Sequence, residues 1–128
     1  MAPRVARFFI SGRLPGMNDM TAKQGRGRGF VYARDKKKWT NDIALLARAA
    51  HVPHFERVHI DYRWVESNRR RNPDNIASAH KQINDGLVTG KVLDNDGWKQ
   101  ISSWTDSFEV DPKRPGVEVT ITEVRDEP

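Results

Sequence analysis

VHIDYRWVESNRRRNPDNIASAHKQINDGLVTG, residues 58–90, changes its hydrophobic period halfway along, and that change decides the fold. Val58, Ile60, Tyr62 and Trp64 alternate with His59, Asp61, Arg63 and Val65, the period-2 signature of a half-buried strand. After a basic run, Pro73 offers its fixed φ to a first helical turn and Gly90 offers a stop, which predicts a helix over residues 73–89. At roughly 100° per residue, Asp74, Ser78, Lys81 and Asp85 fall within roughly 60° of one another. Ile76, His80, Ile83 and Leu87 occupy the opposite side. One face is built for burial; the other presents a carboxylate–hydroxyl–ammonium–carboxylate row.

Working outward, residues 5–13 read as a first strand, with Phe8 and Ile10 alternating against Phe9 and Ser11. Residues 14–31, which carry the repeats Gly25-Arg26 and Gly27-Arg28, read as a flexible basic loop. From Lys36, Trp39, Ile43, Leu46 and Ala50 fall at i, i+4, i+7 and i+11, one apolar helical stripe closed by Pro53. Strands are expected around residues 100–110 and over 116–124, followed by a frayed tail at 125–128. Strand, helix, strand, helix, strand, strand describes an α+β fold: a small mixed β-sheet packed with two helices, in two layers, as a single domain over residues 1–128.

The 128 residues supply one core and no more. Cysteine is absent, which removes disulfides, thiolate metal sites and thiol nucleophiles, and fits a reducing compartment. No apolar run approaches the roughly 18 residues that cross a bilayer, so no membrane partner is expected. Lys and Arg number 22 against 17 Asp and Glu, a net charge of +5 that permits a polyanionic partner.

Chemistry concentrates between residues 68 and 101. Three arginines, Arg69, Arg70 and Arg71, precede Asn72, Pro73, Asp74 and Asn75; some 20 residues on, the loop Leu93-Asp94-Asn95-Asp96-Gly97-Trp98 brings Asp94 and Asp96. Hard cations such as Mg²⁺ take oxygen ligands, commonly one or two carboxylates with several waters. A helix-borne and a loop-borne Asp flanked by Lys and Arg suit metal-assisted phosphodiester hydrolysis, with arginines on the phosphate backbone and Lys81 near the scissile phosphate. Each piece also has a plainer use: Asp74 as a helix cap, Asp94 and Asp96 as a turn, the arginines as a solvated edge. His51 and His54 read as a surface turn, and His80 as a core or interface residue. Trp98 and Trp104, with Phe108, are expected to pack the core or a dimer interface rather than stack on bases. Gly25 to Gly29 is no P-loop, since no Gly-Lys-Ser/Thr follows.

Taken together, Arg69-Arg70-Arg71-Asn72-Pro73-Asp74-Asn75-Ile76, Asp85-Gly86-Leu87-Val88 and Val92-Leu93-Asp94-Asn95-Asp96 resemble the RusA family of Holliday-junction resolvases. Leu14-Pro15-Gly16-Met17-Asn18 after the first strand adds to the likeness. The resemblance implies a Mg²⁺-dependent (or Mn²⁺-dependent) endonuclease. It would act as a homodimer, cut branched DNA by paired nicks across a four-way junction, and be cytoplasmic in a bacterium or encoded by a phage. It places catalytic and metal-binding roles on Asp74 and Asp96, with Asp94 beside them. Asp74 and Asp96 are then expected within reach of one metal. DNA contacts are expected from Arg69, Arg70, Arg71, Arg26, Arg28 and Lys99.

Two positions depart from the family pattern. Asn72 stands where the family has its first Asp, so it would ligate through a carbonyl without charge. Ser78 stands where the family has a Lys, leaving Lys81, one turn further, as its substitute. Asn72 therefore keeps open a second expectation, a catalytically weakened or inactive structure-specific DNA-binding protein of the same fold. A small protein–protein adaptor is the expectation from another class.

Overall fold

A computed structural model describes residues 2–16 and 29–125 of the chain. Its strands are β1 (Val5–Ser11), β2 (Val58–Glu66), β3 (Ile101–Val110) and β4 (Gly116–Glu123). Its helices are α1 (Gly29–Ala49), α2 (Pro73–Ala77) and α3 (His80–Thr89). The strands form one sheet in the order β1-β4-β2-β3. β4 runs antiparallel to both β1 and β2, while β3 lies parallel to β2. A parallel neighbour requires a crossover, and α2 and α3 provide it. The fold is the expected α+β arrangement, a mixed sheet with helices packed on it.

Alternation sets which face is covered. Phe8 and Ile10 of β1, Val58, Ile60, Tyr62 and Trp64 of β2, and Val117, Val119 and Ile121 of β4 are buried in one cluster with Ile43, Ile76, Ile83 and Leu87 from the helices. Leu14, expected within the basic loop, is buried in that same cluster. The opposite face carries polar cross-strand partners, such as Arg63 with Glu109 and Glu118.

Three expectations about the helices need correction. α1 begins at Gly29, within the residues read as loop and seven residues before Lys36. Its buried side is Ile43, Ala44 and Ala47, whereas Leu46 is 38% exposed and Ala50 lies past the helix end, exposed. The reason lies on α3. Gly86 and Gly90 present bare backbone to Ile43 and Ala44, so α1 packs closely on α3 through these two residues and leaves Leu45 and Leu46 in solvent. Lastly, the helix expected over residues 73–89 is two helices, interrupted at Ser78 and Ala79. The Ser78 hydroxyl donates to the Asn75 carbonyl at 2.6 Å, and the Ala79 N–H reaches back to Ile76 at 3.3 Å, a tighter turn between the two helices.

Among the described residues no helix is long and apolar enough to cross a membrane.

Candidate functional site

α3 places Lys81 and Asp85 one turn apart, so their side chains meet on its surface with Nζ–Oδ1 at 3.0 Å. The loop after α3 returns Asp96 to the same ammonium, with Nζ–Oδ2 at 3.5 Å. Lys36 of α1 approaches the other side of Asp85, at 3.9 Å. Two carboxylates from separate elements thus share one cation. The hydrogen bond that Lys81 donates to Asp85 raises the Lys81 pKa, and Asp96 adds to the effect through its charge. At neutral pH Lys81 is an ammonium, a partner for anionic oxygen and not a proton acceptor.

These groups open on a cleft of about 720 Å³ lined by Lys36, Lys37, Asn41, Lys81, Asp85 and Asp96, among others. On the same helix as Lys81, Asn84 accepts the Tyr62 hydroxyl on Oδ1 at 2.5 Å. Burial drives the Tyr62 pKa up, with the charges of Asp106 and Asp96 adding to it, so the phenol stays neutral.

The remaining candidates are distributed differently. Asp74, in the first turn of α2, is exposed and accepts the Asn75 N–H on Oδ1 at 2.9 Å. It stands outside the Lys81 cluster, whose recorded members among the described residues are Asp85 and Asp96. Asn72 is the N-cap residue of α2, yet its side chain makes no capping hydrogen bond; its backbone carbonyl takes the N–H groups of Asn75 and Ile76. It lines a second hollow of about 270 Å³ with Arg69, Phe108 and Val110. Asp94 pairs with His54, Nε2 to Oδ1 at 3.1 Å, so it is committed away from Lys81. Lys99 is exposed. Arg26 and Arg28 lie outside the described residues.

The three arginines divide. Arg69 and Arg70 are exposed. Arg71 is not: its guanidinium grips both carboxylate oxygens of Glu66, at 3.0 and 2.8 Å, and donates to the Leu14 carbonyl at 3.0 Å. Only 10% of its side chain is exposed. A planar fork bound bidentately and out of solvent is a structural tie between the ends of β1 and β2, not a free phosphate ligand. Next to it Gly16 lies on Asn75, so close that a Cβ there would sit 2.4 Å from Asn75 Oδ1. The Leu14-Pro15-Gly16 turn and the start of α2 are therefore in contact across the sequence.

His80, expected on the apolar face, packs on Tyr62 with ring centroids 4.4 Å apart and pairs through Nε2 with Asp106 Oδ1 at 2.7 Å. Trp64 Nε1 donates to that same oxygen at 2.8 Å. Asp106 and Lys36 were not legible as site residues, since only the sheet and the α1–α3 packing bring them in. Trp98 is 97% exposed and Trp104 and Phe108 are 55% and 41% exposed, which excludes all three from the core.

Among the described residues no three His, Asp or Glu side chains are grouped to hold a metal ion. Asp85 and Asp96 are oxygen donors of the kind a hard cation such as Mg²⁺ takes, with the Lys81 ammonium between them. No protein-family model matches the chain, and no curated protein matches it.

Proposed function

We propose that the chain is a metal-dependent endodeoxyribonuclease acting on branched DNA, with the four-way junction as its substrate. The carrying observation is the shared cation: Asp85 and Asp96, from a helix and a loop, both reach the Lys81 ammonium at the mouth of a lysine-lined cleft. Oxygen donors suited to Mg²⁺ and fixed cations suited to phosphate lie side by side there.

When bound, a divalent ion supplies an acidified water and charge at the leaving oxygen. Asp96 would hold it, with Asp85 as the carboxylate already directed at the same ammonium, while Asp74 and Asn72 at the start of α2 stand outside that cluster and would join it only through a shift of α2. Lys81, kept charged by Asp85, neutralises a phosphate oxygen. Lys36 and Lys37 extend the positive wall along which a backbone can lie.

Pairing as a homodimer belongs to the same proposal, because two symmetric nicks require two sites. Supporting it, β3 is an edge strand whose Trp104, Phe108 and Val110 are left exposed. A cytoplasmic location, for a bacterial or phage-encoded protein, is likewise part of the reading. Incubation with a labelled four-way junction and Mg²⁺ or Mn²⁺, beside an Asp96→Asn control, tests it: nicks from the first and not the second are expected.

Arg69 and Arg70 should act through phosphates. Replacing both with alanine is expected to weaken metal-free junction binding and reduce the slope of log K against log salt by up to about 2, at nearly one per phosphate contact. Arg71→Ala should instead destabilise the fold by about 1–3 kcal/mol, by stripping Glu66 and Leu14 of a charged partner. Titrations from low to high salt, with thermal melts of each variant, check the division. Equal slopes for the double variant and the parent would remove the two arginines from the DNA surface.

The second reading, a binder that has lost its chemistry, is favoured by Asn72, which is neutral and opens on the smaller hollow. Asn72→Asp separates the two. If Asn72 serves the metal, an added carboxylate should raise cleavage at limiting Mg²⁺ by about tenfold, the low end of what a supporting group contributes to metal affinity or activity. Matched rates across a Mg²⁺ titration would take Asn72 out of the site.

A further inference from the structure

We propose that Trp98, with Lys99 beside it, is a base-stacking tip that contacts an unpaired or branch-point base of the nucleic acid held in the neighbouring cleft. The inference rests on the nucleic-acid reading of that cleft and adds to it a residue that the resemblance does not mark.

Trp98 is the most exposed large apolar side chain described, at 97%, although the same chain buries Tyr62 and Trp64 almost completely. Its exposure is not that of a loose segment. The Gly97 carbonyl accepts the N–H of Gln100 at 3.2 Å and of Ile101 at 3.0 Å, which makes Trp98 and Lys99 the central residues of a closed turn leading straight into β3. On the other side, Asn95 Oδ1 accepts the Asp96 N–H at 2.9 Å. An indole held out on a hydrogen-bonded turn meets its partner with little backbone ordering left to lose.

Charge selects the partner. Lys99 is exposed next to the indole, Asp96 two residues earlier lines the cleft with Lys36, Lys37 and Lys81, and the whole chain carries +5. A base offers a flat π-face to the indole, and its phosphate offers an anion to Lys99. Stacking of this kind tolerates any base and favours those already out of a duplex, because no pairing has to be broken first.

The test uses the full chain in metal-free buffer with two probes. One is an oligothymidylate; the other is an immobile four-way junction carrying 2-aminopurine at its branch point. Trp98→Ala is expected to bind both about 10- to 100-fold more weakly, the span of one base–aromatic stack. It should also lose the 2-aminopurine fluorescence change that the parent produces. Trp98→Phe should recover most of both, and thermal melts should match the parent, since the side chain is solvent-exposed.

Parent-like affinity and signal from Trp98→Ala would overturn the proposal and leave the indole to a protein partner. If binding depends on Trp98 but added Mg²⁺ yields no nicks, the stacking role stands and the nuclease reading falls. If the parent nicks and Trp98→Ala binds and nicks equally well, the reverse holds. Binding of neither probe by the parent would overturn both.

Discussion

Replacing Asp96 with asparagine should reduce junction cleavage by about 100-fold or more, the scale of losing one electrostatic partner of a transition state. The substitution keeps the size and shape of the side chain and removes only its charge. Its contact with Lys81 spans 3.5 Å and the ammonium is largely solvated, so the pair contributes about 0–1 kcal/mol to folding. The melting temperature should therefore move by no more than a few degrees. Lys81 remains an ammonium in the variant, because Asp85 is the main cause of its raised pKa. Metal-free junction binding should be unchanged or tighter, since one negative charge has left a surface that meets phosphate. Cleavage and binding are thereby expected to separate: the first collapses while the second holds. Asp74→Asn, made alongside, asks whether the start of α2 belongs to the same centre, and a comparable loss would place it there. Parent-like nicking by Asp96→Asn would remove the loop carboxylate from the chemistry and the proposed site with it.

How far this could be read from sequence follows from the range of the forces involved. Val58, Ile60, Tyr62 and Trp64 announce β2 by alternation, because a strand's two faces are separated every residue and one is buried. Lys81 and Asp85 are equally local, a pair one helical turn apart. Asp96 was legible as an acidic loop residue, though not its contact with Lys81, which needs α3 and the loop folded together. The Arg71 tie to Glu66 and Leu14 and the His54–Asp94 pair are tertiary, and composition offers them no signal. The break at Ser78 was hidden for another reason: its residues are all compatible with a helix, and the interruption is decided by the Ser78 hydroxyl turning back to Asn75. Leu46 misled because a leucine at helical spacing is ordinarily the buried one. Here α1 meets α3 through Ile43 and Ala44, and that orientation turns Leu46 to solvent.

That narrow contact yields a sign-reversed expectation. Gly86→Ala, in the middle of a helix, would ordinarily stabilise by about 1 kcal/mol through propensity alone. In this chain a Cβ at Gly86 would lie 2.4 Å from Ile43 Cγ2 and 2.6 Å from Ile43 Cβ, with the Thr40 carbonyl at 3.3 Å. Neither close atom is the far end of a flexible side chain, so α1 and α3 must separate. Overpacking of this kind costs about 1–3 kcal/mol. The net effect should be destabilising, and the melting temperature should fall by several degrees. The consequence reaches the cleft, because Gly86 adjoins Asp85 and the Lys36–Asp85 approach spans the same two helices. Ile43→Ala removes the nearest clashing atom. In a double-mutant cycle it should recover part of the loss, a coupling of about 0.5 kcal/mol or more. A melting temperature for Gly86→Ala at or above the parent's would mean that α1 and α3 do not meet so closely at Ile43.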